Sequence, residues 1–255
     1  MLQSIVRILG ENMKKILIFM TCLTVWSQLS LASFASTPVG VIEKANGSGN
    51  ANGPQGKRNL TTGSTVFKDD TIKTGFWGRL QLRFIDQTKL VIGPRSEIKI
   101  DEFIPDNDRG VSSFAIRAAR GTFRFISGIS KKSAYKISTR NAVMGIRGTG
   151  FDFSDRNGTS IVLYNGLLTV CVQNTCIDLN SKCEMALQRG GRLIRSTTAQ
   201  LPPNAYSLTF PFIRSESGLL AEYRLGAAAC DSGVGKGPKG GNSEGGTGGT
   251  GGGKR

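Results

Sequence analysis

Apolar and polar residues alternate along most of this 255-residue chain, from Thr62 to about Ser196. The pattern is plainest at residues 79–84, whose sequence is RLQLRF. Successive side chains of a β-strand point to opposite faces, so this period predicts strands with one buried face and one solvated face. The same period returns in six later pairs: Ile98 and Ile100, Phe114 and Ile116, Phe123 and Phe125, Phe151 and Phe153, Ile161 and Leu163, Val170 and Val172.

Turn signals such as Gly93-Pro94 and Asn165-Gly166 separate these strands at intervals of about ten residues. No stretch in this region keeps apolar residues at helical spacing for three turns, so crossover helices are not expected. The sequence therefore predicts an all-β fold. We expect a single domain of many short, mostly antiparallel strands, arranged as a β-sandwich, a roll or a short solenoid.

The boundaries of this domain follow from changes in composition, and we place it at residues 36–200. Residues 38–45 read as its first strand, and the glycine- and asparagine-rich residues 46–59 as a flexible surface loop. After the break at Pro202-Pro203, residues 201–230 form a C-terminal extension in which residues 216–230 are predicted to form a short helix.

The N-terminus has the layout of a secretory signal peptide. Lys14 and Lys15 precede an apolar run of eleven residues, 16–26, and small residues follow up to Ala35. A membrane-spanning helix needs roughly 20 apolar residues, so no permanent membrane anchor is expected. We predict cleavage after Ala35 and a periplasmic or secreted protein, with either Met1 or Met13 as the true start.

The C-terminal residues 231–255 consist mainly of glycine with threonine, lysine and serine. Such a composition cannot bury enough apolar surface to offset the entropy lost on ordering. We predict a disordered tail.

Four of the five cysteines remain once residues 1–35 are removed, which suggests two disulfides in an oxidising compartment. Cys171 and Cys176 flank a hairpin tip that turns at Gln173-Asn174, so they face each other as a non-hydrogen-bonded cross-strand pair. The second bridge, Cys183–Cys230, follows only by elimination. A zinc site is the alternative, but no CxxC spacing occurs and no bound metal is expected.

The net charge is +15, and residues 1–35 contribute three basic residues and one acidic residue to it, so +13 remains. In a cell envelope such a charge favours attraction to anionic lipid head groups, polysaccharides or cell-wall polymers. The expected partner is an envelope protein or an anionic cell-surface polymer. The basic residues are scattered singly and do not form a run with interleaved aromatics, so nucleic acid is not an expected partner.

The chain has no histidine, which removes the usual general base and every histidine metal site. The adjacent carboxylates Asp69-Asp70 and Asp101-Glu102 would point to opposite faces of a strand, so neither pair converges on one bond, and we expect them on solvated strand edges. An enzyme is therefore not predicted, and no cofactor is implied. A hydrolase that uses a Ser-Lys pair or converging carboxylates is the remaining catalytic alternative.

Between residue 39 and about residue 195, the order of motifs resembles the FecR domain, named for a periplasmic regulator of iron-citrate transport. The strongest single motif is GIRGTGFDF at residues 145–153. The motifs that precede it are DTIKTG at 70–75, GRLQLRF at 78–84, TKLVI at 88–92, PRSEIKI at 94–100, RGTFRF at 120–125 and ISTRNAV at 137–143.

Arg147, Gly148, Thr149 and Arg120 are the residues singled out by this motif pattern. In one interpretation, the Arg147 guanidinium lies between two small-residue turns and donates hydrogen bonds to strand-end carbonyls. In the other, Arg147 and Arg120 frame a pocket for a carboxylate or phosphate of a partner. Gly148 and Gly150 are expected to supply a positive φ or a bulge and not a phosphate cradle, because no helix pattern follows them.

Two functional hypotheses follow. The first is an exported, non-catalytic protein-binding or scaffolding module that contacts another envelope component through an exposed sheet edge or a basic face. The second is a ligand-sensing domain that binds a small acidic or sugar ligand and relays that state to a membrane or transport partner. A defined pocket around Arg147 would favour the second hypothesis.

Overall fold

The computed structural model describes residues 36–106, 110–200 and 209–230. The described residues from Thr37 onward belong to one unit, whose fold is given below. The predicted signal peptide, its cleavage site and the predicted C-terminal tail lie outside the described residues.

The described residues form a single sheet of fifteen strands, which confirms the all-β prediction. The pairing is antiparallel except between β9 and β10, which run parallel. The strands are β1 (Pro38–Asn46), β2 (Gly49–Gly53), β3 (Gly56–Asn59), β4 (Thr65–Phe67), β5 (Thr71–Thr74), β6 (Arg79–Phe84), β7 (Lys89–Ile92), β8 (Glu97–Pro105), β9 (Val111–Ile126), β10 (Tyr135–Ser138), β11 (Val143–Asp155), β12 (Thr159–Val172), β13 (Thr175–Leu179), β14 (Glu184–Arg189) and β15 (Arg192–Thr197).

Three long strands fold this sheet into two layers, because each changes partners along its length. The first half of β9 pairs with β8 and β10, and its second half, after Gly121, pairs with β7 and β11. Strand β11 has a bulge between Arg147 and Gly150 and pairs with β10 before it and with β9 after it. Strand β12 likewise pairs with β14 near its start and with β13 near its end. One layer therefore contains β2, β3, β5, β8, β10 and β13, and the other contains β1, β4, β6, β7, β14 and β15.

The main core lies between the two layers and is rich in phenylalanine. Phe114, from the first layer, packs edge-on against Phe84 of the second at a ring-centroid distance of 4.7 Å, and tilted against Phe125 at 6.1 Å. All three side chains are buried. The alternating residues of the sequence thus face the interior as predicted.

The expectation of a flexible loop at residues 46–59 was wrong, because β2 and β3 form a paired hairpin there. Strand β2 also pairs with β5, and Ala51 is buried. A Cβ atom at Gly49 would lie 2.9 Å from Leu80 Cδ1. The small residues therefore allow close packing of this strand, and they do not indicate a loop.

The short C-terminal helix is present, but it is α1 (Pro211–Arg214) and not residues 216–230. The predicted region contains two 3-10 turns, Ala221–Tyr223 and Ala227–Cys230. Two further 3-10 turns lie at Lys132–Ala134 and Thr198–Gln200.

Residues 209–230 cover the outer face of the second layer, so the prediction of one solvated face was wrong there. Gln81, expected to face water, is fully buried; its side chain donates to the Gly218 carbonyl at 3.2 Å and accepts from the Leu220 N–H at 2.8 Å. Two apolar clusters lie under the covering segment. Their members from the sheet are Val91, Val162, Tyr164, Met185 and Leu187, and those from the segment include Phe210, Phe212, Ile213, Leu219 and Tyr223.

Candidate functional site

A buried ion-pair cluster holds the C-terminal segment on the sheet. Arg124 and Asp152 face each other on β9 and β11, both fully buried, and form a two-point pair at 2.6 and 2.9 Å. The Tyr164 hydroxyl donates to Asp152 at 2.8 Å. Arg124 also donates to the Glu216 carboxylate and, at 3.3 Å, to the Tyr223 carbonyl. Two residues of the segment are thus bonded directly to the sheet.

Burial lowers the pKa of Arg124, but the negative charge of Asp152 outweighs it and holds that pKa above its ordinary value. Burial also raises the pKa of Tyr164 well above its ordinary value, so the phenol remains a hydrogen-bond donor. The polar groups of Arg124, Asp152 and Tyr164 therefore have hydrogen-bond partners within the cluster. The fully buried guanidinium has no access to a substrate. Its role is to position the segment.

The cluster predicts a pH dependence. Burial raises the pKa of Glu216, but the N–H groups of Leu225 and Ala227 and the charge of Arg124 outweigh it, so the net pKa lies below 4.5. A depressed folded-state pKa gives stability that is complete above the unfolded-state value and lost as the pH falls through the folded value. The difference in unfolding free energy between wild type and Glu216→Gln should therefore be largest near neutral pH and shrink below about 4.5. Urea titrations over this pH range measure it, and a constant difference would contradict it.

Arg147 lies where β11 crosses from one layer to the other. Gly148 has φ +69°, and Gly166 of β12 has φ +86°. A Cβ atom at Gly166 would lie 2.1 Å from the Gly148 carbonyl oxygen, so only glycine permits this close approach. Thr149 is buried, and its carbonyl accepts a hydrogen bond from the Ser127 N–H at 3.0 Å. The prediction of a positive φ or a bulge is thus confirmed, with the positive φ at Gly148 and the bulge next to Gly150.

The predicted hydrogen bonds from Arg147 to strand-end carbonyls are not formed. Its side chain is exposed and makes no hydrogen bond or ion pair with any residue that the structure describes. The register of β11 against β12 shifts at the bulge between Arg147 and Gly150, and the Arg147 guanidinium lies in solvent. We call the surface formed by Arg147, Lys132 and Lys136 the Arg147 corner.

The Arg147 corner contains a shallow depression of about 500 Å³. Lys132, Ser133, Tyr135, Arg147 and Thr169 contribute to its walls. Lys132 and the neighbouring Lys136 are exposed and, within the described ranges, form no ion pair with a carboxylate. The local charge is therefore positive.

Arg120 lies far from this corner. Gly145 pairs with Lys136, which pairs with Ala115, so Arg147 lies level with the start of β9 while Arg120 lies about seven residues further along that strand. At about 3.3 Å per residue the separation is roughly 20 Å. Arg120 instead approaches Glu97 at 4.0 Å. The structure therefore does not bring the two predicted arginines together in one pocket.

Sequence reasoning missed an exposed aromatic pair between β5 and β6. Phe76 is 49 % exposed and Trp77 is 80 % exposed, and their rings meet edge to face at 4.5 Å. The Arg95 guanidinium lies 3.8 Å from the centroid of the Phe76 ring. We call Phe76, Trp77 and Arg95 the aromatic tip. The signal was present in the sequence as two adjacent bulky aromatics within the turn at Gly75.

Both predicted disulfides are present. Cys171 and Cys176 oppose each other on β12 and β13 with a Cα–Cα distance of 4.1 Å. The second bridge, Cys183–Cys230, joins the start of β14 to the end of the covering segment.

One carboxylate of the Asp69-Asp70 pair does not lie where the sequence predicts. Asp70 is fully buried, contrary to the predicted solvated edge, because it binds Arg58 and accepts the Phe67 N–H at 2.8 Å. Within residues 36–106, 110–200 and 209–230, no group of three metal-ligating side chains comes together. No helix in the described part of the chain is long and apolar enough to cross a membrane.

Comparisons with known proteins find a matching family model and similar solved structures. Two crystal structures, at 2.50 and 1.65 Å resolution, come from a protein of Parabacteroides distasonis described as a candidate anti-sigma factor. Each is 13 % identical to this chain, with TM-scores of 0.41 and 0.43, and the alignment covers 50 % of this chain and 59 % of the other. This chain thus spans about three fifths of that protein's length.

A search of curated proteins gives no match. The family model described as FecR protein matches residues 70–169, which run from the residue before β5 into β12. The matched region includes the three cations of the Arg147 corner, the aromatic tip and the Arg124–Asp152 pair. The resemblance of the motifs to the FecR domain is thus confirmed by a family-model match over residues 70–169.

Proposed function

We propose that this chain is an exported, non-catalytic envelope protein that acts as a protein-binding or scaffolding module. The observation that supports this best is Arg147, an exposed guanidinium on a backbone corner fixed by Gly148 and Gly166. The backbone at a rigid corner is already ordered, so it loses little conformational entropy when its side chain binds a partner. Arginine is also enriched at the energetic centres of interfaces. The FecR domain and the two disulfides fit an envelope or periplasmic location.

The charge around Arg147 indicates the kind of partner surface. Lys132 and Lys136 are exposed beside it, so a partner that presents carboxylates would meet three cations at one corner. A planar guanidinium can bind a carboxylate at two points, which a lysine cannot do. The proposed contact is therefore an acidic segment of another envelope protein.

Arg147→Ala should abolish partner recovery without destabilising the fold. Because the side chain is exposed and unbonded to described residues, the change in unfolding free energy should stay within about 0.5 kcal/mol. Crosslinking in intact cells followed by purification measures recovery, and urea denaturation measures stability. Arg192→Ala, at another exposed arginine on β15, is the matched control.

A partner recovered with wild type and Arg192→Ala but not with Arg147→Ala supports the proposal. Equal recovery with all three variants refutes the Arg147 corner as the contact. Arg147→Lys adds a sharper comparison, since it keeps the charge but removes two-point binding.

The second candidate function is ligand sensing, which the depression of about 500 Å³ at the same corner favours. Its volume is in the range of small-molecule sites, and its basic wall suits a small acidic or sugar acid ligand. Calorimetric titration with small carboxylates and sugar acids tests this function. Saturable binding that Arg147→Ala removes would favour sensing, whereas no heat change would favour the binding module.

A further inference from the structure

The aromatic tip is held rigidly. The loop at Phe76 and Trp77 is closed by a hydrogen bond from Gly78 N to Gly75 O at 3.1 Å. Gly75 is bonded in turn to Ser48, at 3.0 Å, and to Arg95, at 2.9 Å. Two neighbouring strand connections therefore fix this loop, and the rings project from it into solvent.

Two arginines, Arg95 and Arg156, lie on one side of the aromatic pair. Arg156 donates to the Pro94 carbonyl at 2.8 Å, directly beside Arg95. Neither Arg95 nor Arg156 forms an ion pair with a carboxylate in the part of the chain that the structure describes. Glu97 lies close by, but Lys73 binds it at 3.0 Å and Arg120 approaches it at 4.0 Å. The surface around the two rings is thus strongly basic.

Such a surface fits a membrane better than a protein. A stable protein interface buries about 800 Å² on each side around an apolar centre, and two rings flanked by arginines offer only a small apolar centre. Tryptophan and other amphipathic aromatics favour the boundary between lipid headgroups and acyl chains, and arginines beside them attract anionic headgroups. The chemistry of the tip matches both parts of that boundary.

We propose that the aromatic tip docks this protein onto a bilayer surface that contains anionic lipids, with Phe76 and Trp77 inserted at headgroup depth. The docking is peripheral and uses no spanning segment. It rests on the proposed export only insofar as export brings the chain to a membrane surface, and it does not depend on Arg147. The aromatic tip lies beside the bend of β9 at Gly121, where the Gly93 N–H donates to the Thr122 carbonyl, whereas Arg147 lies level with the start of β9. One region can therefore contact lipid while the other contacts a protein.

The test uses the intrinsic fluorescence of Trp77. The chain has two tryptophans, Trp26 and Trp77, so Trp26→Phe in the full-length chain leaves Trp77 as the sole indole whether or not residues 1–35 are removed. The protein is mixed with vesicles of phosphatidylethanolamine and phosphatidylglycerol, or of phosphatidylcholine alone. We expect a blue shift of the emission and sedimentation with the anionic vesicles only.

Variants separate insertion from charge attraction. The Trp77→Ala and Phe76→Ala variants should each lose binding to anionic vesicles, as measured by sedimentation. Arg95→Gln combined with Arg156→Gln should weaken binding by about thirtyfold, given about 1 kcal/mol for each arginine near an anionic surface. The control variant Arg192→Gln, which removes a basic residue on β15, should bind like wild type.

No blue shift with anionic vesicles, or sedimentation that survives Trp77→Ala, would overturn the docking proposal. A blue shift with soluble polygalacturonate but not with vesicles would also overturn it and assign the tip to an anionic glycan. These outcomes leave the Arg147 contact untouched, because that contact is judged by crosslinking in cells and not by lipid binding.

Discussion

Replacing Arg124 with alanine is expected to lower the free energy of unfolding by about 3–5 kcal/mol. The substitution leaves the fully buried Asp152 without its two-point partner and frees Glu216 from its bond to the sheet. It also opens a cavity beside Phe212, on whose ring the guanidinium lies at 5.4 Å from the centroid. Urea denaturation followed by circular dichroism measures the loss.

Arg117→Ala is the matched control, because Arg117 lies on the same strand but is exposed and pairs with Asp101 at the surface. Its cost should be below about 1 kcal/mol. The combined substitution Arg124→Met and Asp152→Leu should be less destabilised than Arg124→Ala alone, since it leaves no unpaired buried charge. A loss below about 1 kcal/mol for Arg124→Ala would contradict the assignment of this arginine as the clamp of the C-terminal segment.

Removing the Cys183–Cys230 bridge by a double change to serine is expected to cost about 4 kcal/mol. The bridge closes a loop with a sequence separation of 47 residues, and the entropy that it removes from the unfolded chain grows with loop length. The same change also detaches the end of residues 209–230 from β14, so the covered face of the second layer should become accessible.

The Cys171–Cys176 bridge supplies an internal comparison. Its sequence separation is only 5, and the same relation gives about 2 kcal/mol for its removal. Thermal or urea denaturation of the two double-serine variants measures both costs. Limited proteolysis should cleave residues 209–230 faster only in the variant without Cys183 and Cys230. Equal costs for the two variants would show that loop length does not govern their contributions.

The period-two pattern predicted the strands because it reflects side chains that alternate between two faces, and this local property survives folding. The pattern could not predict that residues 209–230 cover the outer face of the second layer. Arg124 and Asp152 each lie between two phenylalanines, in FRF and FDF, and a charged residue at such a position is ordinarily solvated. That the two charges face each other across strands became evident only from the register.

The hairpin 46–59 was missed for a related reason. Glycine and asparagine weaken strand propensity, but Gly49 leaves room here for the Leu80 side chain, which a Cβ atom would approach to 2.9 Å. A packing constraint from a residue thirty positions away leaves no local signal. The aromatic tip was missed because a bulky pair in a turn looks like ordinary core sequence until exposure is known.

The two disulfides show how far local reasoning extends. The Cys171–Cys176 pairing followed from hairpin register, which is a local property. The Cys183–Cys230 pairing followed only from the even number of cysteines, because the path of the C-terminal segment across the sheet depends on contacts distant in sequence. The motif around Arg147 marked a special backbone position, yet whether its guanidinium faces carbonyls or solvent depends on the bulge in β11.

The most direct test of the proposed contact at the Arg147 corner is site-specific photocrosslinking in intact cells. A photoreactive amino acid replaces Lys132, which lines the depression beside Arg147, and in a parallel strain replaces the exposed Arg192 on β15. The account predicts a discrete crosslinked envelope protein from position 132, absent from position 192, and lost when Arg147→Ala is added. Crosslinks that are equal at both positions, or that persist in full with Arg147→Ala, would contradict the claim that this corner is the binding surface.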